Sequence, residues 1–347
     1  MLRLRSLCSH HARLFSTATE VFGCGSNVVD VIFRTTSVEI GTKSYFDSNV
    51  SIPEASLVGG VTLNHLAWAQ KFHVPTGLLA LQGTDSHGKM IRDKLASMGV
   101  DHSHIWIDSN HQTSLSHIIL DKNGERAIIM APGSTSNITK NVIHQQFKKQ
   151  LTQARIVTTE ISQLPLDAVK ELLSSASGLT MLDVDVPPSV AVTGTFEGGS
   201  TIKKNIYTIL PLSVASQSFN LTFIEYYFFM DSFFFFFFFF FFYCCSFITT
   251  KQYNSDANLG DLPTLFQCCN LCNVLKPTMD AAGELLALAA SKGVSCDENA
   301  SGIIVAKDAG AVAQQLLDAF PDVDMVAVTD GAQGSGLALR GLNEIVR

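Results

Sequence analysis

Short apolar runs that alternate with helical stretches are the feature that most restricts the fold of this chain. Apolar, β-branched runs predict buried strands at 21–33, 76–83, 154–160, 179–186 and 324–331. Apolar residues at helical spacing predict helices at 59–74, 87–100, 165–176, 280–293 and 310–320. Strands that alternate with helices form a mostly parallel sheet with helices on both faces, so the sequence predicts a doubly wound α/β fold.

One segment does not fit this alternation. Residues 113–132 contain two apolar runs on either side of Asn123-Gly124, a dipeptide typical of a β-hairpin turn. We expect this hairpin to belong to a small β appendage, together with strands from 31–58.

The composition excludes some classes of function. The 347-residue chain has a net charge of -7 and no long basic run, so a nucleic-acid partner is not expected. Cys269 and Cys272 have the spacing of half a zinc site, but no second pair stands at a matching distance. Reduced thiols are therefore favoured over a metal site.

The N-terminal residues 1–19 are rich in Arg, Ser and Thr and contain no acidic residue. This bias is typical of a transit peptide and predicts a mitochondrial or other organellar location. An ordinary disordered tail in a cytoplasmic protein is the alternative.

Several polar residues are expected at the carboxyl ends of the predicted strands, where ligands bind in open α/β sheets. They are Asp30, Gly59, Gly60, Glu160, Asp183 and Thr329. The glycine pair allows a ligand to approach the backbone closely, and Asn64 offers an amide one turn into the next helix. With Asp30 as acceptor, this set suits a sugar or ribose, whereas a tight turn with a surface Asn is the alternative.

The order of segments resembles the PfkB (ribokinase-like) family of carbohydrate and nucleoside kinases over 21–200 and 257–341. The resemblance rests on "GCGSNVVD", "GGVTLN", "LQGTDSHG", "LDVDVPP", "LKPTMDAAGELL" and "VAVTDGAQGSGLAL". It implies a doubly wound α/β domain with a β lid over the sugar site, and possible homodimers that form through the lid.

The resemblance also implies roles for individual residues. The residues implied to bind the sugar are Asn27, Asp30, Gly59, Gly60, Asn64 and Glu160. The residues implied to lie at the nucleotide or its phosphates are Asp183, Asp185, Thr329, Gly331 and Gly334. The implied reaction is transfer of the γ-phosphoryl group of ATP to a hydroxyl, with Mg²⁺ held largely by phosphates and water.

Two departures from the family pattern bear on activity. Thr278 and Ala281 replace the Asn and Glu of an Asn-x-x-Glu element, and Glu284 lies one turn later. The chain ends at Arg347, before the Gly-Ala-Gly-Asp segment that carries the family's catalytic Asp. We therefore assign no catalytic base, leave the metal ligands unknown, and expect this chain to bind substrate poorly and to turn over little or not at all.

Ten consecutive phenylalanines, 233–242, lie between the two family-like parts. A transmembrane helix would need about 20 apolar residues, and the run from 232 to 248 is shorter. A loop this apolar would be an aggregation hazard. Translated non-coding sequence, such as a retained intron, is favoured over both.

The predicted organisation has four parts: a transit peptide at 1–19, the sugar-site half with the lid at 20–200, the insert at 201–256, and the nucleotide-binding half at 257–347. The predicted function is ATP-dependent phosphorylation of a sugar or nucleoside. An inactive, ligand-binding pseudo-kinase and, less favoured, a membrane-anchored protein are the alternatives.

Overall fold

The computed structural model describes residues 19–38, 45–46, 49, 51–124, 126–193, 252–253, 259–293 and 308–341. The strands are β1 Val21–Gly23, β2 Val28–Thr35, β3 Ala55–Gly59, β4 Thr76–Leu78, β5 Ala80–Gln82, β6 Ile105–Ile107, β7 Leu115–Asp121, β8 Arg126–Ala131, β9 Ile156–Glu160, β10 Leu179–Val184, β11 Gln252–Tyr253, β12 Val274–Pro277, β13 Met325–Thr329 and β14 Ser335–Leu339. The helices are α1 Val61–Lys71, α2 Ser86–Met98, α3 Lys140–Val142, α4 Lys148–Gln153, α5 Leu166–Ser175, α6 Pro188–Thr193, α7 Leu262–Leu271, α8 Met279–Ser291 and α9 Ala309–Ala319.

The main sheet has seven strands in the order β14-β13-β12-β10-β9-β1-β4. Its strand pairs are parallel except for β13 and β14, which pair antiparallel. Residues of α1 and α2 pack on one face of this sheet, and residues of α4, α5, α7, α8 and α9 pack on the other. The predicted doubly wound α/β fold is therefore confirmed.

A second sheet of five strands, in the order β11-β8-β7-β2-β3, forms the lid. The hairpin predicted around Asn123-Gly124 is present, because β7 and β8 pair antiparallel and Gly124 has a positive φ of 85°. The expectation that 31–58 contributes to the lid is also met by β2 and β3.

Two predicted strands are each divided in the structure. The segment 21–33 is not one strand, since β1 lies in the main sheet and β2 in the lid. The segment 76–83 is likewise divided between β4 and β5. The sequence does not show these breaks, because the residues on both sides of each break are apolar. The two sides are buried in different sheets.

The predicted insert, 201–256, lies almost wholly outside the described residues. Gln252 and Tyr253 are described and pair parallel with β8, so the end of this segment contributes a short strand to the lid. Within the described ranges, no helix is both long and apolar enough to cross a bilayer. The remaining domain boundaries stay predictions.

Candidate functional site

The candidate site lies at the carboxyl edge of the main sheet, where the strand order changes direction. The chain places β4 on one side of β1 and β9 on the other, so β1 marks the switch point at which open α/β sheets bind ligands. The loop after β1 carries Ser26 and Asn27, and β9 ends at Glu160.

Asp30 reaches this edge from the lid. It was expected at the end of a strand of the main sheet, but it lies inside β2, paired with Leu57 of β3 and Ser116 of β7. The Ser116 hydroxyl donates a hydrogen bond to Asp30 Oδ1. Burial raises the pKa of Asp30, although this hydrogen bond opposes the rise. The Asp30 carboxylate thus belongs to the lid sheet and can accept hydrogen bonds from a ligand.

The glycine pair brings the lid and α1 close to Asp30 and Ser26. A Cβ on Gly59 would lie 2.2 Å from Asp30 Oδ2, and a Cβ on Gly60 would lie 2.4 Å from the Ser26 carbonyl oxygen. Gly60 also has a φ of 114°, which L side chains rarely adopt. Half-buried Asn64 follows one turn into α1, and its backbone N–H donates to the Gly60 carbonyl over 2.9 Å.

Glu160 is fully buried beneath this turn and bonds only to protein groups. Oε1 accepts the Ser26 N–H over 2.9 Å and the Ser162 hydroxyl over 2.8 Å. Oε2 accepts the Thr62 N–H over 2.8 Å and the Thr62 hydroxyl over 3.0 Å. These bonds join the loop after β1, the first turn of α1 and the loop after β9, and direct contact between Glu160 and a substrate stays a prediction.

Asn27 is also buried and fully engaged. Its amide nitrogen donates to the Gly25 carbonyl over 3.1 Å, and its Oδ1 accepts from Gln82 over 2.9 Å. Arg92 in turn donates to Gln82 over 2.8 Å. This chain of hydrogen bonds fixes the loop after β1. The predicted contact between Asn27 and a sugar stays a prediction.

A buried ionic cluster lies beside Glu160 on the next two strands. Asp183 of β10 is the register partner of Glu160 and of Lys276 in β12. Lys276 Nζ lies 2.8 Å from Asp183 Oδ2, and His65 Nε2 of α1 lies 3.1 Å from the same oxygen. His65 Nδ1 lies 3.0 Å from the Thr158 hydroxyl. The cluster joins α1 to strands from both halves of the chain.

The two predicted phosphate-side carboxyls are pushed in opposite directions. Burial opposes ionisation of Asp183, but the Lys276 ammonium and the His65 hydrogen bond outweigh it, so the pKa of Asp183 is lowered. Burial, followed by the charges of Asp183 and Glu160, raises the pKa of half-buried Asp185 to about 7. Within the described residues, Asp183 Oδ1 is buried and has no hydrogen-bond partner.

The predicted nucleotide turn follows β13, which lies two strands beyond β10 in the main sheet. Buried Thr329 ends β13 and pairs with Thr278 at the end of β12. Gly331 and Gly334 in the following turn have φ values of 50° and 101°. A Cβ on Gly334 would meet no atom within 4 Å, so the turn faces open space. At about 4.8 Å per strand, β13 lies roughly 14 Å from β9, which separates this turn from Glu160.

The residues at the departure from the family pattern serve local structure. The Thr278 hydroxyl caps α8 by accepting the Ala281 N–H over 3.3 Å. Glu284 accepts the Ser189 N–H over 2.7 Å and its hydroxyl over 2.9 Å. Glu284 therefore does not take the place of the missing Glu.

Cys269 and Cys272 are both buried, and the structure contains no group of three or more potential metal ligands within the described residues. Burial raises the pKa of neighbouring Cys268 to about 12, and it also raises that of Cys269 well above its ordinary value. These thiols are part of the core, beside α5.

Several residues of the site were not predicted from the sequence. They are Ser26, Thr62, His65, Gln82, Ser116 and Lys276. His65 had a detectable signal, since a polar residue stands on the buried, Leu-rich face of a predicted helix. Ser116 had none, because its role depends on pairing between β2 and β7.

Comparison with known proteins identifies the family that the chain is similar to. Residues 46–190 match the family model described as pfkB family carbohydrate kinase. A ribokinase of Haemophilus influenzae is 27% identical over 112 residues, which cover 32% of this chain and 36% of that protein. The chain thus spans about a third of the length of this curated relative.

Solved structures share the fold at low identity. Arabidopsis thaliana ribokinase, solved with ribose and ATP, has a TM-score of 0.58 at 15% identity over 95% of this chain and 78% of that one. A Thermotoga maritima ribokinase has a TM-score of 0.56 at 14% identity over 95% of this chain and 77% of that one. A Methanocaldococcus jannaschii nucleoside kinase has a TM-score of 0.52 at 13% identity over 94% and 75%. The ribokinase-like fold and the resemblance to the PfkB family are therefore confirmed.

Proposed function

We propose that this chain, a PfkB-type kinase by its family match and fold, transfers the γ-phosphoryl group of ATP to a hydroxyl of a sugar or nucleoside. The observation that carries the proposal is the close approach of Gly59 to the Asp30 carboxylate in the lid, with Asn64 one turn into the helix that follows. A lid carboxylate, a side-chain amide and a backbone without side chains suit a ligand with several hydroxyl groups.

The sugar would be held mainly by groups that protein contacts leave available. Asp30 Oδ1 is occupied by Ser116, so Oδ2 is the oxygen that would accept a ligand hydroxyl. The Asn64 amide can donate and accept at once, which matches the dual character of a hydroxyl group. Asn27 and Glu160 would act beneath them as supports.

ATP would bind along the edge from β10 to β13. The turn with Gly331 and Gly334 would suit a nucleotide, because no atom of the described residues lies within 4 Å of the position that a Cβ on Gly334 would take. Asp183 and Asp185 would lie toward the phosphates. Mg²⁺, when bound, would neutralise phosphate charge, and it would be held largely by phosphate oxygens and water. No catalytic base is assigned within the described residues, and reduced turnover stays a prediction.

A second candidate is a ligand-binding protein without phosphoryl transfer. The observations in its favour are that Thr278 caps α8 and Glu284 binds Ser189, so neither provides the phosphate-side groups of the family pattern. Sugar binding without turnover would identify this second function.

The lid is also a proposed surface for homodimerisation. Phe46 and Ile129 are 51% and 55% exposed, and both lie toward the face of the lid sheet opposite Asp30, because Ile129 pairs with His117 and the Phe33 ring contacts those of His117 and Phe46. Apolar side chains exposed together are typical of an interaction surface. Sedimentation of the full chain would test this.

A mitochondrial location stays a prediction, because residues 1–18 lie outside the described part.

The direct test is a phosphorylation assay with the full 347-residue chain, ATP and Mg²⁺. Ribose, fructose and a panel of nucleosides would serve as acceptors, and the phosphorylated product would be followed by ³¹P NMR. We expect slow formation of product from at least one acceptor, and a further loss of roughly tenfold or more in kcat/KM for Asp30→Asn, since one charge-assisted hydrogen bond would be lost. A folded chain that phosphorylates none of them would contradict the proposal.

A further inference from the structure

We propose that Glu160 and Ser26 together form a composite N-terminal cap for α1 and position Asn64, rather than contact the substrate themselves. The two residues come from the ends of different strands, β9 and β1, and neither belongs to the helix that they cap. The effect on sugar affinity rests on the proposed function, whereas the cap itself does not.

The start of α1 has no cap of its own. The N-cap residue is Gly60, which has no side chain to accept the first N–H groups of the helix. The Val61 N–H instead donates to Ser26 Oγ over 2.7 Å, and the Thr62 N–H donates to Glu160 Oε2 over 2.8 Å. The next N–H, of Leu63, lies 3.4 Å from the Ser26 carbonyl oxygen.

Glu160 is suited to this task by its charge and its position. A carboxylate at a helix N-terminus interacts favourably with the helix dipole and with N–H donors. Each of its oxygens already accepts two hydrogen bonds, from Ser26 and Ser162 on one side and twice from Thr62 on the other. A carboxylate offers about four acceptor positions, so these contacts use its full capacity. Little capacity remains for a substrate hydroxyl.

Close packing fixes the cap in one arrangement. A Cβ on Gly25 would lie 2.0 Å from Thr62 Oγ1, and one on Gly60 would lie 2.4 Å from the Ser26 carbonyl oxygen. Neither turn can therefore move toward the other, and α1 begins at a fixed height above β9.

The cap also fixes the position of Asn64, because Asn64 lies two residues after Thr62 on the same helix. Loss of the cap would let the first turn of α1 fray, and both Gly60 and Asn64 would shift relative to Asp30 of the lid. A reduced affinity for sugar would follow without any lost contact between Glu160 and the ligand.

Amide hydrogen exchange of the full chain, without any ligand, tests the cap. In Glu160→Gln, a Gln amide group cannot accept the donors on one side, so we expect exchange at Val61–Leu63 to rise about tenfold or more. Exchange in β13 should stay unchanged. Ser26→Ala is the milder second variant and should raise exchange at Val61. Ser162→Ala is the matched control, because it removes a bond to Glu160 but none to α1, and it should leave these amides protected.

Unchanged protection of α1 in both Glu160→Gln and Ser26→Ala would overturn the proposal. Equal exposure of all amides in Ser162→Ala would overturn it as well, since the effect would then be one of general stability. These outcomes do not depend on whether the chain phosphorylates anything.

The positioning role is tested by calorimetric titration of ribose, fructose and the nucleosides. If the cap positions Asn64, Ser26→Ala should weaken binding of the acceptor several-fold while leaving ATP affinity unchanged. Wild-type affinity for the acceptor in a variant with a frayed α1 would contradict this part. Absence of acceptor binding by the wild-type chain would instead contradict the proposed function, with the exchange result standing by itself.

Discussion

Glu160 and Asp183 lie side by side at the same level of the main sheet, yet their charges are balanced in different ways. They are register partners on β9 and β10, and both are almost completely buried. Glu160 is surrounded by neutral donors, which are two N–H groups and two hydroxyls. Asp183 is paired with the Lys276 ammonium and with His65.

The two kinds of partner hold the chain in different ways. Neutral donors are directional, so the Glu160 side fixes loops and the start of α1 in a defined geometry. An ammonium compensates charge with less angular demand, and it joins β12 to β10. A buried carboxylate therefore orients the start of α1 at Glu160, and it connects two neighbouring strands at Asp183.

The largest expected effect is that of removing the cation from the Asp183 side. Lys276→Met leaves a buried carboxylate without its main partner, so we expect a loss of about 3–5 kcal/mol in the free energy of unfolding. Urea denaturation of the full chain, followed by far-UV circular dichroism, measures it.

The double variant Lys276→Met with Asp183→Asn is the matched control. It removes both charges, so it should recover a substantial part of the loss. A single variant as stable as the wild type would show that Lys276 does not compensate Asp183 and would break the comparison.

A smaller effect is expected on the Glu160 side, where geometry matters more than charge. Gly60→Ala places a Cβ 2.4 Å from the Ser26 carbonyl oxygen at a φ of 114°. We expect a destabilisation of about 1–3 kcal/mol, because both the strain and the clash are with backbone. Thermal denaturation would measure the change.

Gly283→Ala is the matched glycine control. It lies inside α8 with no atom within 4 Å of the added Cβ, so it should stabilise the chain by about 0.5–1 kcal/mol. Equal effects of the two substitutions would contradict a special role for the turn at Gly60.

The third prediction concerns pH and Asp185, which lies next to both carboxylates. The ordinary pKa of an Asp is about 4, and burial with the neighbouring charges raises that of Asp185 to about 7. Between these values the folded state keeps a proton that the unfolded chain has lost, so stability falls as pH rises through this window.

Asp185→Asn cannot titrate and should remove this fall. The stability of the variant relative to the wild type should therefore increase by roughly 1–3 kcal/mol between pH 4 and pH 8, measured by urea denaturation without added metal. Asp93→Asn, at an exposed ion pair with Lys89, should show a difference that is small at every pH. A flat difference for Asp185→Asn would contradict the raised pKa.

Much of the fold could be predicted from the sequence because it depends on local patterns. Apolar period and turn residues located α1, the hairpin of β7 and β8, and most strands of the main sheet. The break between β1 and β2 could not be predicted. Both segments are apolar, although β1 belongs to the main sheet and β2 to the lid sheet.

The candidate site was predictable where residue type alone shows a function. Asp30, the glycine pair and Asn64 stand out by chemistry, and the structure places Gly59 against the Asp30 carboxylate and Asn64 one turn into α1. Whether Glu160 faces a ligand or the protein depends on partners as distant as Ser26 and Thr62, which only the folded chain brings together. The pairing of Lys276 with Asp183 likewise depends on strand order.

Calorimetric titration of ribose, fructose and nucleosides into the full wild-type chain and into Asp30→Asn tests most directly whether this edge of the sheet is a sugar site. We predict saturable binding of at least one of these acceptors, weakened roughly tenfold or more in the variant, because Asp30 Oδ2 is the acceptor that protein contacts leave available. Binding that is equally tight in Asp30→Asn, or no binding of any acceptor by a folded wild-type chain, would contradict it.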